Sequence, residues 1–160
     1  MPAITALLHT ENDALRLGRC LETLYPCDRI LVVDHSSRDS TVPLAREYGA
    51  SVIASVSGAL AQYYVRLADP GWILCLDPRE SLSESLAASL YEWKLGADSI
   101  GLGAAFSVLL REETAEGWMQ VPAAQTRLVP PDWDRWNGFL PSADPSAPVL
   151  EGELLRFAFP

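Results

Sequence analysis

Up to about residue 95, short apolar runs alternate with amphipathic stretches of helical length, a pattern that predicts βαβ units around a largely parallel sheet. Residues 3–8 form the first predicted strand. Ala14, Leu17, Leu21 and Leu24 then recur at helical spacing and give one apolar stripe, which Pro26 ends. Ile30-Leu31-Val32-Val33 predicts a second strand, apolar on both faces and running into Asp34. Asp39-Ser40-Thr41 opens a helix that reaches about Tyr48, with Pro43 tolerated in its first turn and Gly49 as its stop. Ser51-Val52-Ile53 is the third strand, residues 58–67 make a less regular helix, and Trp72-Ile73-Leu74-Cys75-Leu76 is a fourth strand ending at Asp77. Ser81 and Glu84 have capping-box spacing for a helix that turns Leu86, Leu90 and Trp93 inward.

After Gly96 the alternation stops. Residues 100–110 and 119–129 read as long strands, antiparallel across a loop at 112–117. Seven of the twelve prolines fall from Pro122 onward, so 130–148 reads as an ordered loop holding Trp133 and Trp136. Residues 154–159 form a last strand. With no repeat and no linker, the expectation is one α/β domain over residues 1–160.

Composition narrows the function classes. Twelve Lys and Arg against twenty-one Asp and Glu give a net charge of −9, which argues against a broad electrostatic footprint for nucleic acid or an anionic membrane. No run approaches the ~18 apolar residues of a membrane span. Cys20, Cys27 and Cys75 are odd in number and lack metal-ligand spacing, so they read as reduced thiols. With no basic and apolar leader at the start, the expected compartment is the cytoplasm.

In open α/β sheets, ligands bind beyond the carboxyl ends of the strands. Those ends here supply three polar segments, 9–13, 34–41 and 77–80. Taken singly, each can be read as helix-capping residues. Taken in order, they carry a likeness. Thr10, Asn12 and Asp13 match a Thr-x-Asn-Glu loop; Val33, Asp34, Ser37, Asp39 and Thr41 match Val-Asp-x-x-Ser-x-Asp-x-Thr; Trp72, Ile73, Leu74, Leu76, Asp77 and Glu80 match Trp-Ile-Leu-x-Leu-Asp-Ala-Asp-Glu. In these motifs the chain resembles the family-2 glycosyltransferases of the GT-A fold, especially the bacterial lipopolysaccharide-core glucosyltransferase type. The likeness covers residues 3–95, and more faintly 127–138.

The resemblance implies a GT-A sheet flanked by helices and a transfer of sugar from a nucleotide-diphosphate sugar, such as a UDP-sugar, to an acceptor hydroxyl. Residues 1–95 would be the nucleotide-binding half and 96–160 a reduced acceptor-side half. Thr10, Asn12, Asp34, Asp77 and Arg79 are the implied substrate-binding positions.

The departures from the family pattern are equally specific. The family's second D-x-D carboxylate, a ligand of Mg²⁺ or Mn²⁺, is Arg79 here. Arg cannot ligate a cation and its charge opposes one, so Asp77 alone stands as a metal position and transfer is expected to proceed without metal. Arg79 could instead pair with the diphosphate. Gln62-Tyr63-Tyr64 replaces a segment with a basic residue, and Leu140-Pro141-Ser142 replaces a His-Glu pair, leaving no evident general base. Glu80 is expected to face the following helix, Asp132, Asp134 and Asp144 to be turn carboxylates, and His9 and His35 to have loop roles. Relatives run further, so a partner or second copy would complete the acceptor side. The competing reading is a noncatalytic nucleotide-binding, regulatory or scaffolding module that keeps the sheet and has lost the chemistry.

Overall fold

The computed structural model describes residues 2–68, 71–96 and 104–160. The first block is β1 (Ile4–Thr10), α1 (Ala14–Glu22), β2 (Arg29–Asp34), α2 (Thr41–Glu47), β3 (Ser51–Ala54), α3 (Ala61–Leu67) and β4 (Trp72–Leu76). These strands lie side by side in the order β3-β2-β1-β4, all parallel, as the alternation predicts. Register brings Thr10 level with Asp34 and Leu8 level with Leu76, so Asp77 emerges beside His9. The polar segments therefore share one edge because the strands beneath them are parallel and in step.

The sheet continues as β4-β8-β6-β11-β5, with β7 on the outside of β6. This block comprises β5 (Glu80–Leu82), α4 (Glu84–Gly96), β6 (Phe106–Thr114), β7 (Gly117–Gln120), β8 (Gln125–Val129), β9 (Trp136–Asn137), β10 (Leu140–Pro141) and β11 (Val149–Arg156). The pairs β4–β8, β8–β6, β6–β7 and β11–β5 are antiparallel, whereas β11 runs parallel to β6. The sheet is thus parallel in its first four strands and mixed beyond them.

Several boundaries differ from expectation for physical reasons. Ser81 does not cap α4: residues 80–82 pair with β11, and Ser83 takes the cap, its Oγ accepting the Leu86 N–H at 3.2 Å. The stretch 119–129 is two strands, β7 and β8, separated around Pro122, which has no N–H for a ladder. The β6–β7 turn is tighter than expected, with Thr114 opposite Gly117. Residues 130–148 contain the small β9–β10 hairpin, and the last strand spans Val149–Arg156 rather than 154–159. The beginning of the expected 100–110 strand, 100–103, lies outside the described residues. A β-bulge in β11 accompanies Gly152, whose φ of +100° and backbone contact with α4 leave no space for a Cβ, which would meet the Leu86 nitrogen at 2.3 Å.

Both sheet faces are buried. One packs Leu8, Leu74 and Leu110 against α1 and α4 through Leu17, Leu21 and Leu90; the other packs Leu7, Val33 and Ile73 against Tyr64 and Trp133. Trp133 and Trp136 are indeed ordered, Trp136 donating from Nε1 to Gln62 Oε1 at 3.2 Å.

Candidate functional site

The loops after β1 and β2 are laced together. The Asn12 N–H donates to Ser37 Oγ at 2.8 Å and the Arg38 N–H to Asn12 Oδ1 at 2.8 Å. Both Asn12 and Ser36 have positive φ, 54° and 58°, which turns the loop tips toward each other. Asp39 accepts the Ala14 N–H at the start of α1 and the Thr41 N–H and hydroxyl at the start of α2. One carboxylate therefore serves two helix beginnings, the capping role these residue types suggest.

Beneath the lacing, Thr10 and Asp34 meet. Thr10 Oγ1 donates to Asp34 Oδ1 at 2.8 Å, Ser37 Oγ to the same oxygen at 2.6 Å, and the Ser37 N–H to Oδ2 at 2.9 Å. Thr10 is 1% and Asp34 7% exposed. Most of the Asp34 acceptor capacity is thus satisfied within the chain, with lone-pair capacity left on Oδ2.

Asp77 and Arg79 form a closed pair. The Arg79 Nε donates to Asp77 Oδ1 at 2.9 Å, Nη2 to Oδ2 at 3.1 Å, and the Arg79 N–H also to Oδ1 at 2.9 Å. Burial pushes the Asp77 carboxyl up, but the Arg79 contacts and the Arg156 charge outweigh it and hold the group below its ordinary range. The bond to Asp77 likewise raises Arg79.

Glu80 departs from its expected place. It is wholly buried and faces no helix: Arg127 Nη1 and Nη2 donate to its two oxygens at 2.6 and 2.9 Å, and Arg156 Nη2 donates to Oε2 at 2.8 Å. Its Oε1 also accepts the Asp77 N–H at 2.8 Å. This cluster ties β5, β8 and β11 to the loop that carries Asp77 and Arg79, and sets that loop's height above the sheet.

Two histidines complete the edge. His9 Nδ1 and His35 Nε2 share a proton at 2.8 Å. The Phe139 ring lies on His9 with centroids 3.9 Å apart and planes 10° from parallel, while Tyr64 meets His9 edge-on at 5.0 Å. Burial and the adjacent His35 lower the His9 pKa to about 4, so the ring is neutral at physiological pH. Tyr64 is explained by this packing and by the Val56 N–H that donates to its hydroxyl at 3.0 Å. Tyr64 therefore has a structural role, whereas Tyr63 is exposed.

These groups line a cleft of about 410 Å³ that includes His9, Thr10, Glu11, Asp13, Arg16, His35, Asp77, Pro78, Arg79 and Phe139. Four sequence candidates thus gather at one edge: Thr10, Asp77 and Arg79 in the wall, and Asp34 directly behind Thr10. Asn12 lies just outside, laced to the second loop. Arg16 and Phe139 also line the cleft, and no motif position points to either. Arg16 is legible as a cation in the first turn of a helix that starts at this edge. For Phe139 the signal is Asn137-Gly138, a hairpin dipeptide, which presents Phe139 at a tip. Asp144 is a turn carboxylate, accepting the Ser146 N–H at 3.0 Å.

The residues present do not fit a divalent cation. Arg79 engages both Asp77 oxygens, and no group of three or more His, Cys, Asp or Glu side chains among the described residues is placed to hold a metal. Among the described residues no helix is long and apolar enough to cross a membrane. Cys20, Cys27 and Cys75 are free, and burial pushes the Cys75 thiol up to about 12.

No protein-family model matches the chain. Over 90 residues it is 36% identical to an uncharacterised glycosyltransferase of Rickettsia felis, covering 54% of this chain and 32% of that protein. An uncharacterised glycosyltransferase of Rickettsia prowazekii is 31% identical over 90 residues, covering 54% of this chain and 31% of its own. The matched part thus spans about a third of these relatives. Among solved structures, S. aureus TarS 1–349 in complex with UDP-GlcNAc superposes with a TM-score of 0.58 at 15% identity, over 76% of this chain and 37% of TarS 1–349. Glucosyl-3-phosphoglycerate synthase from Mycobacterium tuberculosis, in complex with Mn²⁺, UDP and glucosyl-3-phosphoglycerate, gives 0.51 at 17% identity, over 72% of this chain and 46% of its own. The likeness to lipopolysaccharide-core enzymes in particular rests on the sequence motifs alone. This is a glycosyltransferase-like chain with the GT-A fold.

Proposed function

We propose that the chain is the nucleotide-sugar domain of a glycosyltransferase that moves a sugar from a nucleotide-diphosphate sugar, such as a UDP-sugar, to an acceptor hydroxyl, without a metal. The observation that carries this reading is the polar cleft at the carboxyl edge of β1, β2 and β4, with Arg16 and Arg79 in its wall. An acceptor oxygen attacks the anomeric carbon, the bond to the diphosphate breaks, and negative charge develops on the departing nucleotide. In this reading Arg79 exchanges its bond to Asp77 for one to a phosphate oxygen and supplies, as a guanidinium, the charge a cation supplies elsewhere. Asp77 then orients Arg79 rather than a metal. Thr10 and Asp34 face the nucleoside, Asp34 through Oδ2, and Asn12 holds the two loops in register.

The acceptor side is completed by a partner, by a second copy or by further chain, and the work takes place in the cytoplasm, where nucleotide sugars are made. Transfer needs a base that the cleft does not supply in an obvious position. Calorimetry with a panel of nucleotide sugars, paired with a transfer assay, tests the reading. Binding with transfer supports it, binding without transfer favours the noncatalytic module, and no binding overturns both.

A further inference from the structure

Resting on that reading and going beyond it, we propose that Arg16, which belongs to none of the motifs, is a second phosphate-binding residue, and that the diphosphate is gripped between the Arg16 and Arg79 guanidinium groups. Arg16 lines the same cleft as Arg79. Arg79 is already bonded to Asp77, whereas the Arg16 guanidinium has no hydrogen-bond or ion-pair partner among the described residues. The other partly or wholly buried arginines among them, Arg19, Arg79, Arg127 and Arg156, each have one. A charge half withdrawn from water without a counter-charge is a cost that a bound anion removes. The position adds to that cost. Arg16 stands in the first turn of α1, where the helix dipole and the free N–H groups disfavour a cation. A residue that burdens the fold on both counts is suited to a ligand.

The register of α1 on β5 carries Arg16 to the Arg79 loop. The Leu82 N–H donates to the hydroxyl of Thr23, the C-cap of α1, at 3.0 Å, and the Ser81 hydroxyl donates to the Arg19 carbonyl at 3.3 Å. Thr23, Arg19 and Arg16 are spaced by four and then three residues, so they share one face of the helix. Each turn towards the start of α1 thus moves back along the chain from Leu82 through Ser81 towards Arg79, and helical side chains lean that way. Asp13 senses both sides of the gap. Burial raises its carboxyl, which also feels the charges of Asp77 and Arg16, while Arg79, raised chiefly by its bond to Asp77, feels Asp13 in turn. A nucleotide sugar carries a charge on each phosphate. Arg79 comes with the Asp77 charge at its side, so Arg16 supplies the positive charge that the cleft has not already committed, on a planar fork that fits phosphate oxygens.

The test titrates UDP into the native chain, Arg16→Gln, Arg16→Lys and Arg38→Gln. The last is a control that removes the same charge from the same edge, since Arg38 is exposed on the loop after β2 and outside the cleft lining. UDP affinity falls about 10- to 100-fold in Arg16→Gln, the scale of a lost hydrogen bond between charged groups. It recovers in part in Arg16→Lys and changes by about threefold at most in Arg38→Gln, whose charge is screened by solvent. The charges of UDP are on its phosphates, so a loss that Lys repairs is the loss of a phosphate contact. Native affinity in Arg16→Gln, an equal loss in Arg38→Gln, or a Lys variant no better than the Gln variant overturns the Arg16 contact and leaves the transferase reading standing. Failure of the native chain to bind UDP overturns both. In case Arg16→Gln folds poorly, a measurement on the native chain decides independently: at saturating UDP the Arg16 Nε–H resonance moves, and bound UDP with that resonance unmoved overturns the contact.

Discussion

The loop edge of the parallel strands and the buried centre of the antiparallel strands both depend on carboxylates, and use them in opposite ways. At the edge, Asp34, Asp39 and Asp77 accept hydrogen bonds from loop N–H groups and from each other's neighbours, beside an open cleft. In the centre, Glu80 is sealed from water and held by Arg127 and Arg156. Two residues separate Asp77 from Glu80, yet one carboxylate stands beside the cleft and the other is sealed. An edge group with lateral freedom is suited to a ligand; a sealed one is suited to fixing where the edge group sits.

That contrast predicts that lesions in the centre cost stability and lesions at the edge cost ligand. The largest effect belongs to Glu80→Ala, which strands two arginine side chains, one of them buried, and frees the Asp77 N–H. Urea unfolding should show a loss of about 3 to 5 kcal/mol. A loss no greater than that of an exposed ion pair would break the comparison at its stronger end.

The second effect is pH-dependent. The His9 pKa falls from 6.5 unfolded to about 4 folded, so between these values the unfolded chain takes up a proton that the native chain refuses. The contribution is whole above pH 6.5 and lost as pH falls towards 4, by about 2 to 3 kcal/mol at most, less where solvent screens the ring. His9→Phe should lose less stability over this window than the native chain, with His35 common to both. Equal losses would show that the ring is not held neutral by its surroundings.

Asp34→Ala should weaken UDP binding by about 1 to 3 kcal/mol, the scale of a lost hydrogen bond to a charged group. It also releases Thr10 and Ser37, so some loosening of the loops should accompany it, visible as faster amide exchange at Ser37. UDP bound as tightly as by the native chain would remove Asp34 from the contact set. The smallest effect is a gain. Arg79→Asp restores two carboxylates at D-x-D spacing and removes the opposing charge, so weak Mn²⁺ affinity should appear when UDP is present. No gain in a manganese titration would mean that Asp77 does not face the nucleotide.

The same two regions differ in how far the sequence discloses them. The parallel strands were legible because each is a short, doubly buried apolar run punctuated by capping residues, and because parallel register carries polar strand ends to one edge. The second region was legible only in outline. Ser81 lies in β5 because β11, more than sixty residues away in the chain, pairs with it, and no local pattern announces that partner. Glu80 was expected to face the following helix, and no local pattern pairs it with Arg127, 47 residues on, until the sheet closes around both. Of the site, Thr10, Asp34, Asp77 and Arg79 were reachable through motif positions. Phe139 was not, since its contact with His9 joins a β1 strand end to a hairpin 130 residues later.

The central claim is that Arg79 does a metal's work in holding the nucleotide diphosphate. Titration of UDP into the native chain with excess Mn²⁺, and again with a chelator, tests it most directly. The account predicts the same affinity in both, whereas UDP binding that requires Mn²⁺ would contradict it.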